Sequence, residues 1–225
     1  MPEVIFAGPD GRLEGRYHPQ PNRDAPIAIV LHPHPQFGGT MNNKVVYNLH
    51  YAFHSLGFSV LRFNFRGVGR SQGEYDMGIG ELSDAASALD YLQAMNQNSR
   101  ACWVAGFSFG AWIGMQLLMR RPDITERLIV LNMPHPWTLA KQLAENPEQE
   151  KNSQYARNFQ DPEFYKKISL ERLGAWVTDP EARKLHLAAM QRSDAQAMLH
   201  YYQANYPAPP YVVPTAPPPS VKMPV

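Results

Sequence analysis

Three short, mostly apolar runs, Ile27–His32, Phe58–Phe63 and Cys102–Ala105, are separated by segments whose apolar residues recur at helical spacing. A run of that length, apolar on both alternating faces, is a strand buried on both sides of a sheet. Val45, Val46, Leu49, Phe53 and Leu56 form the first helical stripe, with Gly57 as its stop. Leu82, Ala85, Leu89, Leu92 and Met95 form the second. Phe109–Arg120 reads as a third helix, closed before Pro122, and Arg127–Leu131 as a further strand. Strand alternating with helix implies right-handed crossovers, a mainly parallel sheet and helices on both faces. Ahead of this pattern, Glu3–Ala7 and Arg12–Tyr17 flank the turn-forming tetrad Gly8-Pro9-Asp10-Gly11 and predict an opening hairpin.

Residues 134–206 change character. They carry no convincing strand pattern but several helix starts: Asn146-Pro147 and Asp179-Pro180 pair a capping residue with proline, and Ser193 with Gln196 makes a capping box. Residues 207–225 hold eight of the 21 prolines and no Asp, Glu or His, which favours extended polyproline conformations. The expected organisation is an α/β core over 1–133, an all-helical lid over 134–206 and a proline-rich tail over 207–225.

Composition narrows the function classes. Lys and Arg total 21 against 20 Asp and Glu, a net charge of +1, so no broad basic field exists to grip nucleic acid or an anionic membrane. The 44% hydrophobic share excludes wholesale disorder. One cysteine, Cys102, forbids an internal disulfide and fits a reducing compartment. The amino terminus lacks the basic and apolar regions of a signal peptide, and the longest apolar stretch, around Gly106 to Met119, is too short to span a bilayer. A soluble, cytoplasmic protein acting on a small molecule is expected.

The chemistry concentrates in two segments. Gly106-Phe107-Ser108-Phe109-Gly110 sits between a strand and a helix. A serine on that sharp turn needs small neighbours, and the helix amino terminus favours developing negative charge. Ser108 is therefore the candidate nucleophile. The second segment, His32-Pro33-His34-Pro35-Gln36-Phe37-Gly38-Gly39-Thr40, follows the first buried strand. In a nucleophile-elbow fold this loop gives one oxyanion-hole amide, and the residue after the nucleophile, Phe109, gives the other. Pro33 and Pro35 cannot donate, so the loop donor is one of His34, Gln36, Phe37 or Gly38, with His34 and Phe37 foremost. No Cys or carboxylate cluster accompanies the histidines, and Tyr51 stands between His50 and His54 where a zinc protease needs Glu, so no metal and no other cofactor is expected.

These segments, with Arg62-Phe63-Asn64-Phe65-Arg66-Gly67-Val68-Gly69-Arg70-Ser71, make residues 1–121 resemble the compact alpha/beta hydrolases of the dienelactone-hydrolase type. From Arg121-Pro122-Asp123 and Asn132-Met133-Pro134-His135-Pro136 onward the chain is similar instead to the lid of epoxide hydrolases, with a seam near 121–130. Tyr155 and Tyr202 match the two lid tyrosines of that family, which implies that both line a substrate pocket; the plainer alternative is helix packing of Tyr155 on Phe159.

Epoxide hydrolases use an aspartate nucleophile, whereas a serine ether left by epoxide opening resists hydrolysis. Serine favours acyl transfer, because an acyl-enzyme is itself a hydrolysable ester. The expected function is a serine hydrolase of carboxylic esters or related acyl compounds; the alternatives are an epoxide-hydrolase-like chain and a non-catalytic fragment. The resemblance implies an acid and a histidine after the lid, yet residues 206–225 hold neither. Downstream of Ser108 the histidines are 135, 186 and 200. The expectation follows of a sheet short of its last strands, with an unpaired edge that promotes self-association.

Overall fold

A computed structural model describes residues 2–99, 101–121, 123, 126–132, 134, 136–175, 177–191, 196, 199, 202, 203 and 206–215. The chain divides into two compact units between residues 132 and 134.

The first unit is built on one six-stranded sheet. Strands β1 (Glu3–Gly8) and β2 (Gly11–His18) form the opening hairpin. β3 (Ile27–Leu31) leads to α1 (Lys44–Ser55) and β4 (Ser59–Phe63); α2 (Ile79–Met95) leads to β5 (Cys102–Phe107); α3 (Phe109–Arg120) leads to β6 (Arg127–Leu131). The order across the sheet is β1-β2-β4-β3-β5-β6. β2 pairs antiparallel with β4, and β4, β3, β5 and β6 run parallel.

Every residue of β3 and β4 is buried, as their two-sided apolar character demands. Ile27, Ile29 and Leu31 join Ala85, Leu89 and Leu92 of α2 and Ile113 and Leu117 of α3 in one cluster. Ala28 and Val30 face the other way, against Val46 and Phe53 of α1. Burying each large apolar side chain contributes about 1.5–3 kcal/mol. The helices thus cover opposite faces, α2 and α3 on one and α1 on the other.

That arrangement points to a candidate site. β3 and β5 are neighbours, yet β3 feeds α1 on one face while β5 feeds α3 on the other. The strand order reverses between them, and ligands of open parallel sheets bind at the crevice such a reversal leaves beyond the carboxyl ends.

Several element ends differ from the sequence expectation by a residue or more, and two of the shifts have a direct physical cause. β5 continues to Phe107, past Ala105, because Gly106 and Phe107 keep pairing with Val130 and Leu131. α2 begins at Ile79, ahead of Leu82, because the Glu81 carboxylate accepts from the amides of Asp76 (2.9 Å) and Gly78 (2.7 Å) and fixes the entry.

The described part of the second unit holds helices α4 (Pro136–Glu145), α5 (Pro147–Asn152), α6 (Gln154–Gln160), α7 (Leu170–Leu173) and α8 (Pro180–Gln191), and no strand. Asn146 caps α5 by accepting from Glu148 and Gln149, and Asp179 caps α8 through the Ala182 amide at 2.7 Å. The Ser193 cap lies outside the described residues. Among those residues no helix is long and apolar enough to cross a membrane.

Candidate active site

Ser108 stands between the last residue of β5 and the first of α3, with φ 55° and ψ −117°. Positive φ in a non-glycine residue is strained and persists only where the surroundings enforce it. Three contacts enforce it. The Ser108 amide donates to the Leu131 carbonyl at the end of β6 (2.9 Å). A Cβ on Gly106 would overlap the backbone of Gly110 and Ala111, and one on Gly110 would overlap the carbonyls of Leu31 and His32. Each glycine is therefore required by close backbone approach, and the spacing of the pattern follows from packing. Phe109, the first residue of α3, has an amide too early in the helix for an internal partner.

The loop after β3 folds into a short 3₁₀ turn, Pro35–Phe37, with His34 as its cap. Inside that turn the Phe37 amide donates to the His34 carbonyl (3.1 Å), as does the Gly39 amide (3.0 Å), and the Gln36 amide donates to His34 Nδ1 (3.3 Å). Phe37 is therefore not an available oxyanion donor in this structure: the turn consumes its N–H. The structure does bring His34 and Phe109 together, with ring centroids 4.8 Å apart. Burial pushes the His34 imidazole down to about 4, so it is neutral at physiological pH.

His32 has a structural task. Its Nε2 accepts from the Phe65 amide (3.0 Å) and its Nδ1 contacts the Pro33 carbonyl (2.6 Å), and burial pushes its pKa down to about 4. Both nitrogens are occupied, and among the described residues no group of three His, Cys, Asp or Glu side chains is placed to hold a metal ion.

The segment Arg62–Ser71 forms the frame beneath this loop. Arg62 donates to the Met41 carbonyl and, at 2.8 Å, to Asn42 Oδ1, and its guanidinium lies 5.0 Å from the Tyr47 ring. Asn64 accepts from the Met41 amide (2.8 Å) and donates to Glu14 (3.0 Å). Ser71 Oγ donates to the Asn64 carbonyl (2.7 Å) and accepts from the Glu14 amide (3.0 Å). Arg66 binds Asp84 through two nitrogens, at 3.0 and 2.8 Å, while its backbone amide donates to the same carboxylate. The partners Glu14 and Asp84 lie far from the motif in sequence, so sequence reasoning missed them. It also missed Tyr75, whose hydroxyl sits 2.9 Å from His34 Nε2.

Among the described residues no side chain hydrogen-bonds the Ser108 hydroxyl. His135 and His200 lie outside the described residues, and His186 is on α8. In the second unit, Tyr155 and Tyr202 come together edge to face at 6.0 Å, with Phe159 against both, at 5.8 and 5.0 Å.

Compared with known proteins, residues 16–209 match the family described as X-Pro dipeptidyl-peptidase (S15 family). The chain belongs to the S15 family. This S15 chain is 56% identical over 130 residues to RP471 of Rickettsia prowazekii, covering 58% of the chain and 55% of that protein. It is 69% identical to ATU1826, a candidate alpha/beta hydrolase from Agrobacterium tumefaciens, at a TM-score of 0.56, covering 57% of this chain and 59% of that one. Against an epoxide hydrolase of the alpha/beta hydrolase superfamily, from metagenomes of hot environments, identity is 26% and the TM-score 0.53; coverage is 95% of this S15 chain and 72% of the other. The fold is that of an alpha/beta hydrolase with epoxide hydrolases among its relatives. The S15 chain spans little more than half the length of RP471 and ATU1826.

Proposed function

We propose that the protein is a serine hydrolase of carboxylic esters or related acyl compounds. The strained Ser108 backbone, at the strand-order reversal and at the amino terminus of α3, carries this reading. In the proposed reaction Ser108 Oγ adds to the substrate carbonyl carbon, and its proton passes to a general base. The carbonyl oxygen becomes an oxyanion held by the amides of Phe109 and His34. Collapse expels the alcohol or amine, which takes up a proton, and water cleaves the resulting ester to release the acid and restore the hydroxyl. Tyr155 and Tyr202 are hydrogen-bonding residues of the substrate pocket in a helical lid.

The S15 match supports an amide variant of the same chemistry, since cleavage after proline is also acyl transfer. The epoxide-hydrolase likeness supports a second reading, but opening an epoxide through an ester intermediate requires a carboxylate where Ser108 stands. Three substrates separate these readings in one experiment: a p-nitrophenyl ester, an X-Pro p-nitroanilide and an epoxide. Ester or anilide turnover, with fluorophosphonate labelling of Ser108 and loss of both in Ser108→Ala, is the expected result. Diol formation that depends on Ser108 would overturn it.

A further inference from the structure

The bond between Tyr75 and His34 lies beside the loop amide on which the proposed oxyanion hole depends. His34 Nδ1 accepts from the Gln36 amide, so the neutral ring carries its proton on Nε2 and donates it to Tyr75 Oη at 2.9 Å. The imidazole is packed among three rings, with centroids 4.5 Å from Phe37, 4.9 Å from Tyr75 and 4.8 Å from Phe109. Tyr75 also lies 6.2 Å from Phe109, so one side chain borders both proposed donors. Tyr75 is anchored in turn. The amides of Asp76 and Gly78 donate to Glu81, a fully buried carboxylate in the first turn of α2. Burial, reinforced by Glu81, raises the pKa of Tyr75, so the phenol stays neutral.

We propose that Tyr75 is a positioning residue of the oxyanion hole: its hydroxyl holds the His34 imidazole, and through it the backbone amide of residue 34, in the orientation that stabilises the oxyanion. This rests on the serine-hydrolase reading. Tyr75 does not touch the reacting atoms; it acts through the side chain that caps the Pro35–Phe37 turn. Sub-ångström placement of a donor decides how much charge stabilisation it delivers, so a lost tether is felt in the chemical step more than in substrate binding.

The test is Tyr75→Phe, which keeps the ring packing and removes only the acceptor. With p-nitrophenyl acetate, kcat is expected to fall about tenfold with KM within about twofold, because the lost interaction matters chiefly in the transition state. In a His34→Asn background, where the cap acceptor is retained but no imidazole remains to hold, the same substitution is expected to cost under about twofold. Nitrogen-15 spectra of the wild-type imidazole are expected to show the proton on Nε2. A Tyr75→Phe enzyme with unchanged kcat, or an equal loss in both backgrounds, would overturn the proposal. Should Tyr75→Phe lose the native circular dichroism, the wild-type spectrum decides: an Nε2 proton protected from exchange supports the tether, and an Nδ1 proton refutes it. Fluorophosphonate labelling of wild-type Ser108 runs alongside. An unlabelled Ser108 brings down the serine-hydrolase reading and this proposal with it, whereas a labelled Ser108 with an indifferent Tyr75→Phe brings down the proposal alone.

Discussion

Histidine burial gives the first unit an acid-sensitive stability. Burial pushes His32 and His34 down to about 4, and burial with the nearby Arg62 cation pushes His50 down to about 3. Unfolded, each titrates near 6.5. Between those values the unfolded chain binds more protons than the folded one, so stability is complete above pH 6.5 and falls as pH drops towards 4. Urea melts at pH 7.5 and 5.0 are expected to show a lower midpoint at the acid value. His50 is the place to relieve it: both ring nitrogens are buried with no hydrogen-bond partner among the described residues, and the ring stacks on His18 at 5.7 Å. His50→Leu is expected to stabilise by about 1 kcal/mol at neutral pH, the low end of the cost of an unsatisfied buried polar group, and by more at pH 5. A midpoint that moves equally at both pH values would refute the assignment. Gly110→Ala is the opposite case. Its methyl meets two carbonyls with nowhere to go, so a loss of about 2 kcal/mol or more is expected, read as a lowered melting midpoint.

At the level of elements, the strands and helices of the first unit were legible because burial on both faces writes itself into composition. Phe109–Arg120 and Arg127–Leu131 stand where periodicity puts them. The Ser108 turn was legible for a related reason: the backbone crowding at Gly106 and Gly110 restricts those positions to one residue type. What sits under the loops was not. Phe37 looked like a donor because sequence shows which residues carry an N–H but not where the N–H is spent. The frame below was invisible because Arg66 finds Asp84, and Asn64 finds Glu14, only after α2 and β2 are folded back on the sheet. That frame yields a sharp expectation. Asp84→Ala removes the two-nitrogen ion pair of the buried Arg66 guanidinium and leaves it, among the described residues, the exposed Asp10 at 3.8 Å and the nearby Glu81. A destabilisation of about 3 kcal/mol or more is expected, read from the denaturant midpoint. Arg70, whose ion pair with Glu3 is exposed, is the control: Arg70→Ala is expected to change stability by less than about 0.5 kcal/mol.

For the whole molecule, the sheet closes differently at its two ends. At one end the outermost strand β1, antiparallel to β2, presents Glu3, paired with Arg16 of β2 at 2.8 Å. Charge on an end strand discourages pairing with another chain. At the other end β6, Arg127-Leu128-Ile129-Val130-Leu131, pairs with β5 and with no other strand among the described residues. Four of its five residues are apolar, so concentration-dependent self-association is expected, checked by sedimentation velocity across a dilution series. A single sharp monomer boundary at every concentration would refute it. Cys102 is expected to have no part in it, because burial pushes the thiol up to about 12; alkylation by iodoacetamide should stay slow until the chain is unfolded.

The Ser108 amide is fastened to the carbonyl of Leu131, and one residue later the chain turns through Asn132, itself at φ 56°, and leaves for its second unit. The proposed nucleophile is thus leashed to a joint. A residue added after Asn132 leaves the leash as it is, whereas one removed before it draws the knot along the edge of the sheet and twists the serine out of its strained pose. Tolerance of length changes should therefore switch within two positions of the chain, from indifferent to ruinous, at a point that no substitution of a side chain would reveal.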